Sequence, residues 1–371
     1  PPGRFFLTEA AIWLHTADQI AIAKINLSAG TKLVLDESGQ SVTVGQFIPA
    51  GHKVALIGIS AGDAVRRYGQ IIGFATEPIA PGDHVHSHNI DIKAFDRDYA
   101  FGAEVDPVDT VPVENRRTFM GYKRPNGAVG TRNYIALIAS VNCSAHTSRE
   151  IARHFTPERL ASYSNVDGVI AFTHQLGCTS RIGGPDYRML QRTLAGMARH
   201  PNVGAYVFIL LGCETNQISA LIEDEKLNGD RPVPHLVIQD DGGLRKTVAA
   251  GIDTVETLLP QVISTQRKPQ PISELMVALE CGGSDSWSGI TANPLVGAVA
   301  DAVVRQGGTV VLSETPEVYG AEHLLTRRAI SPAVGQKLVD KIHWWESYTR
   351  NMGMEIDNNP SPGNKAGGLT T

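Results

Sequence analysis

Tyr134-Ile-Ala-Leu-Ile-Ala-Ser-Val141 decides the fold class. The run is uncharged and largely aliphatic, has the length of one strand, and gives way near Ser144 to a polar, helix-compatible segment. A strand apolar on both faces must be covered on both faces, as parallel sheets are. The same texture returns at Val166 to Phe172, with Tyr187 to Ala198 as the helix behind it. It returns again at Ala205 to Leu211 (AYVFILL), Leu275 to Leu279 (LMVAL) and Thr309 to Leu312 (TVVL). Strands of this kind alternating with helices predict an α/β fold with a parallel sheet.

Upstream the rhythm is different. Leu27-Ser-Ala-Gly30-Thr-Lys-Leu33, Ile48-Pro-Ala-Gly51-His-Lys-Val54, Ile59-Ser-Ala-Gly62-Asp-Ala-Val65 and Ile79-Ala-Pro-Gly82-Asp-His-Val85 share one shape. Each has an apolar residue, two small residues or Pro, a Gly that can supply positive φ, two further residues and another apolar one. This predicts a small, turn-rich β domain over 1–91. The acidic, Pro-punctuated stretch 92–117 is expected to be a linker draped over the surface. An α/β domain is expected over 118–268, and a second α/β sub-domain over 269–371. The break between these two is placed at Gln266-Arg-Lys-Pro-Gln-Pro271.

With 371 residues there is room for two or three domains and a large core. A formal net charge of -5 argues against a nucleic-acid or anionic-membrane surface, which needs clustered Lys and Arg. No apolar run is long enough to cross a bilayer, and no charged-then-apolar leader opens the chain. A cytoplasmic protein is expected. The absence of a starting Met implies trimming or a fragment. Four cysteines are too few for a disulfide scaffold and are expected to be reduced thiols.

Those cysteines carry the first chemical clue. Cys143, Cys178, Cys213 and Cys281 all follow one of the predicted strands. Open α/β sheets bind ligands at the carboxyl ends of their strands, so four thiols are expected along one such edge. For a single Cys, burial as a small hydrophobe is the plainer explanation; four at equivalent places favour a site. Glu214 follows Cys213, and His174 precedes Cys178. Ser284 and Asp285 stand in Glu280-Cys-Gly-Gly-Ser-Asp-Ser-Trp-Ser-Gly-Ile-Thr-Ala-Asn-Pro294, whose amides could form an anion-binding concavity. A glycine-rich turn with an N-cap is the alternative there.

His84, His86 and His88 alternate, so on a strand they would share a face and could hold a transition metal; an exposed, ligand-free stripe is the alternative. His15 and His52 are further candidates. The Gly-rich loop Pro125 to Asn133 precedes its strand and is no dinucleotide fingerprint. Gly-x-Ser-x-Gly and Walker motifs are absent, which weakens hydrolase and NTPase functions.

Several longer stretches resemble the altronate and galactarate dehydratase family. They are GYKRPNGAVGTRN (121–133), HQLGC (174–178), LGCETNQ (211–217), IQDDGGLRKTVAAG (238–251), ECGGSDSWSGITANP (280–294), TPEVYGAEHLL (315–325) and NPSPGNKAGGLTT (359–371). GHKVAL (51–56), RYGQIIGFA (67–75) and GDHVHSHN (82–89) resemble the SAF-type, β-clip-like module that the family carries at its N-terminus. The HVHSHN ending is closer to the altronate branch. Family members continue beyond GNKAGGLTT, so a C-terminal part is expected to be missing.

The resemblance implies a hydro-lyase acting on a small-molecule sugar acid, D-altronate first, in hexuronate catabolism. It implies a divalent metal, ferrous iron or else manganese, and a homo-oligomer, most simply a dimer. Galactarate or another aldarate, a sulfonated hydroxy acid, and a non-catalytic sugar-acid binding protein are the alternatives. Removing a proton beside a carboxylate needs a base, an acid and positive charge. The candidates are His174, Glu214 and Asp285 for catalysis, with Arg132, Ser284, Ser288, Asn293 and Lys365 for substrate binding. His15, His86, His88, Cys178, Cys213 and Cys281 are candidate metal ligands. An iron–sulfur cluster on Cys178, Cys213 and Cys281 is the less favoured alternative.

Overall fold

A computed structural model describes residues 3–35, 38–93, 98–227, 232–356 and 360–370. The chain forms two compact units. One comprises Pro1–Thr110 with Met276–Arg305 and Thr309–Thr371, the other Val111–Leu275 with Gln306–Gly308.

The N-terminal repeats of the first unit fold as four equivalent turns. Gly30, Gly51, Gly62 and Gly82 have φ of 83°, 86°, 88° and 94°. The following amides close each turn: Thr31 N–H to Ser28 O, His52 to Pro49, Asp63 to Ser60 and Asp83 to Ala80, all at 3.1 Å. A type II turn requires this conformation at its third residue, which is why Gly recurs there. Leu27 pairs with Ile48, and Ile59 with Ile79, in antiparallel bridges between repeats. Strands Ile20–Ala23, Lys53–Ala55 and His84–Val85 lie side by side, antiparallel. Their apolar residues fill two small cores around Val54 and Val65. The small, turn-rich β domain expected of this region is what the structure shows.

In the other unit, strands β1 (Tyr134–Ala139), β2 (Gly168–Phe172), β3 (Val203–Leu210) and β4 (His235–Val237) form one parallel sheet in the order β2-β1-β3-β4. Alternation along β1 sorts its residues. Ile135 and Leu137 face helices α1 (Ala145–His154) and α4 (Leu244–Ile263), while Ala136 and Ile138 face α2 (Pro185–Ala198) and α3 (Ile218–Asp224). Both faces are covered, as the apolar runs require. The short β4 was not foreseen; three residues between Pro234 and a polar turn carry too little pattern.

One expectation is corrected and one gains detail. Within Gln266 to Pro271, the segment Lys268–Pro271 pairs antiparallel with Thr118–Lys123. It is an edge strand, where Pro is tolerated because no ladder donor is needed. The boundary between the units falls after it, at Leu275. Strand β5 (Met276–Leu279) pairs in parallel with β6 (Thr309–Leu312) in a sheet of the first unit, so Cys281 does not follow a strand of the sheet that carries the other three thiols.

Residues 94–97 of the acidic stretch lie outside the described residues. The part beyond them is anchored rather than merely draped. Tyr99 Oη donates to Glu322 at 3.1 Å, Gly102 N–H to Thr326 O at 3.0 Å, and Arg327 pairs with Asp98 and Glu104. Among the described residues no helix is long and apolar enough to cross a membrane.

Candidate active site

The histidines gather, but on a turn rather than along a strand. After His84–Val85 the chain curls; buried Asn89 closes the loop, accepting from the His86 N–H at 2.9 Å and donating to His84 O at 3.0 Å. His52, delivered by the turn at Gly51, joins the group. Its ring lies 5.1 Å from those of His84 and His86, and His84 lies 5.3 Å from His86 and 5.4 Å from His88.

The hydrogen bonds set the tautomers of these rings. A carbonyl only accepts, so His52 Nε2 donates to Ala366 O (3.1 Å) and His86 Nε2 to Lys365 O (2.8 Å). Neutral His52 then accepts at Nδ1 from His84 Nε2, 3.0 Å away. Burial, reinforced by neighbouring rings, pulls His84 down to about 3, and burial is also the main cause lowering His52 and His86. Burial thus favours the neutral form of His52, His84 and His86.

Strand Lys53–Ala55 starts beside His52 and meets two other segments. Lys53 Nζ donates to Gly368 O at 2.6 Å, and Arg67 Nη2 to Ser286 O at 3.0 Å. Tyr68 Oη donates to Gly289 O. Ser286 Oγ also reaches Gly368 O (2.9 Å), and Asn364 Nδ2 reaches Ser284 O (2.6 Å). The three segments approach so closely that a Cβ on Gly51 would stand 2.9 Å from Trp287 Nε1. Burial, with the nearby charge of Arg67, pulls Lys53 down to about 7.

The ECGGSDSWSG loop opens on its other side into a cavity of about 430 Å³ lined by Cys281, Ser284, Ser288, Asn293 and Glu314 among others. Cys281 Sγ is 3.2 Å from Ser284 Oγ, and its amide donates to the Glu314 carboxylate. That amide is thus occupied by an acid of the chain, which fills part of the expected anion-binding concavity. Asp285 caps the loop, its Oδ1 accepting from the Ser288 N–H at 2.8 Å. Lys365 enters through its carbonyl on His86, and exposed His15 packs its ring against Gly69.

In the other unit, Cys143, Cys178 and Cys213 follow the neighbouring strands β1, β2 and β3. The loops are tied together: Thr215 N–H donates to Cys178 O at 2.9 Å and Asn142 N–H to Leu176 O at 3.0 Å. His174 Nε2 is buried without a partner among the described residues, and its side chain lines a cavity of about 210 Å³ with Phe172, Asp186 and Met189. Asn216, which the sequence reading passed over, is 2% exposed with neither amide atom partnered among the described residues. Its only sequence signal is its place in LGCETNQ. Arg132 precedes β1 and so stands at the amino edge, opposite the thiols, 3.7 Å from Asp167.

All four cysteines are free. Imidazole donors suit a transition metal. As hydrogen-bonded, however, the His52 and His86 Nε2 atoms are spent on carbonyls, and no group of three or more His, Cys, Asp or Glu among the described residues is placed to hold an ion. The residues as arranged do not fit the implied metal.

Comparison with known proteins agrees with this architecture. Residues 9–93 match the altronate/galactarate dehydratase SAF domain. Residues 121–263 match the second domain of D-galactarate dehydratase/altronate hydrolase, and 272–371 the C-terminal domain of D-galactarate/altronate dehydratase. The chain is 38% identical to altronate dehydratase of Escherichia coli (strain K12), covering 97% of itself and 71% of that protein. It is 34% identical to altronate dehydratase of Bacillus subtilis (strain 168), with the same coverage. With galactarate dehydratase (L-threo-forming) of E. coli it shares 35% identity, over 96% of itself and 69% of that protein. The SAF, second and C-terminal domain matches follow one another along this chain, and the chain belongs to the altronate/galactarate dehydratase family, a hydro-lyase acting on a sugar acid.

Proposed function

We propose that the substrate is D-altronate. The proton on the carbon beside the carboxylate is removed, hydroxide leaves the next carbon, and the resulting enol tautomerises to the 2-keto-3-deoxy acid. The observation that carries this reading is the turn of neutral imidazoles, His52, His84 and His86, packed beside Lys53; similarity to two altronate dehydratases over 97% of the chain supports it.

A neutral imidazole with a bare ring nitrogen can take a proton from carbon and return one to the departing hydroxide. His88, the exposed end of the series, is the candidate in the first unit. In the second unit His174, whose Nδ1 accepts from the Leu176 N–H at 3.2 Å, is the candidate proton donor through its unpartnered Nε2. Glu214 and Asp285 hold their loops instead. A divalent ion, ferrous iron first, remains part of this reading as a requirement implied by the family; when bound it would supply charge against the developing dianion. We place the enzyme in the cytoplasm as a homodimer.

The test is anaerobic turnover with ferrous iron supplied, over D-altronate, galactarate and a sulfonated hydroxy acid, with 2-keto-acid detection. Altronate is expected to be fastest. Faster galactarate turnover, or sulfite release from the sulfonated acid, overturns the substrate. No keto acid from any of them would leave a binding protein.

A further inference from the structure

We propose that Lys53 and Arg67 form the subsite for the substrate's carboxylate, the acid group taking the place that the carbonyls of Gly368 and Ser286 now fill. The proposal rests on the sugar-acid reading above. Both cations are almost wholly buried, at 2% and 8% exposed. Among the described residues neither has a carboxylate within ion-pair distance. Burying a charge away from water is unfavourable unless an opposite charge or a full set of hydrogen bonds replaces the water. Here the replacements are neutral groups: Gly368 O for Lys53, and Ser286 O together with the neighbouring Tyr68 side chain for Arg67.

Arg67 shows the shortfall directly. Its Nε is buried with no partner among the described residues, while Nη2 holds Ser286 O. The Nε–Nη2 edge of a guanidinium is a two-pronged donor matched to the two oxygens of a carboxylate, and here only one prong is used. The carboxylate whose charge acts on it, Asp18, has committed Oδ2 to the Tyr68 amide at 2.9 Å and Oδ1 to the Gly69 amide at 2.7 Å. The charge of Lys53 acts on His52, His84 and His86, so an anion held by this pair would lie within electrostatic reach of the imidazole turn. The chemistry called for is a compact, planar anion joined to a hydroxylated chain.

Calorimetric binding of D-altronate and of its neutral alditol, to the full chain and to K53M, R67M and R67K, tests this. Urea midpoints report whether each variant is folded. The wild type is expected to bind the aldonate at least about tenfold more tightly than the alditol. K53M and R67M should lose that preference while alditol binding stays put, and R67K, which keeps the charge but not the fork, should recover part of it. A wild type without preference, or folded variants that keep it, overturns the proposal and leaves the cations as clamps on the backbone. Should the methionine variants unfold, the wild-type ratio and R67K decide. Sulfate binding as tightly as the aldonate would show a general anion hole and overturn the sugar-acid assignment. Turnover separates the two ideas: preference without turnover sinks the proposed reaction alone, and turnover without preference sinks this subsite alone.

Discussion

At Glu214, Oε1 accepts from Ser140 Oγ at 2.5 Å and the Leu211 amide at 3.2 Å, while Oε2 accepts from the Gly212 amide at 2.6 Å. Only 2% exposed, this residue fastens the turn at the end of β3. Glu214→Gln places an NH2 against a donor and should lower stability by about 1–3 kcal/mol in urea unfolding. Full stability with abolished turnover would instead mark a catalytic carboxylate. Arg132→Ala should leave kcat/KM within about twofold, since its charge is exposed and remote from the thiol edge; a larger fall in initial rates would return Arg132 to the site. The sequence named both residues, but residue type does not tell a satisfied acid from a reactive one. The partners of Glu214 include Ser140, far along the chain, and such partners are invisible before folding.

Elements were more legible than roles. The repeated apolar-x-x-Gly shape foretold the four turns because positive φ is a local demand that Gly meets without steric strain. The run at Tyr134 foretold a doubly covered strand for an equally local reason. Packing of helix on helix was not legible. Gly251 of α4 lies so close to α1 that an added Cβ would come within 2.3 Å of Ile151 Cδ1. Gly251→Ala should therefore overpack that contact and cost about 1–3 kcal/mol, read as a lower urea midpoint. An unchanged midpoint would mean that Ile151 has room to turn aside.

For the molecule as a whole, the buried bases predict how stability follows pH. His84 is held at about 3, below the usual 6.5, so between those values the unfolded chain binds the extra proton. Its contribution is complete above pH 6.5 and is lost as pH falls toward 3. Lys53, at about 7 against 10.5, acts with the same sign over the higher window. The urea midpoint should accordingly fall from pH 7 to pH 5, and H84Q should flatten that slope; a variant as acid-sensitive as the wild type would acquit His84.

The sequence alone determined the SAF module, the parallel α/β sheet and the sugar-acid family, because turn chemistry, apolar periodicity and long motifs are properties of neighbouring residues. Only the tertiary structure decided that His52 joins the His84–His88 turn, that Cys281 belongs to a different sheet from the other thiols, and that Lys53 and Arg67 are buried without an acid. Those facts depend on which distant segments meet, and burial, on which the charge states and proton positions depend, exists only once they do.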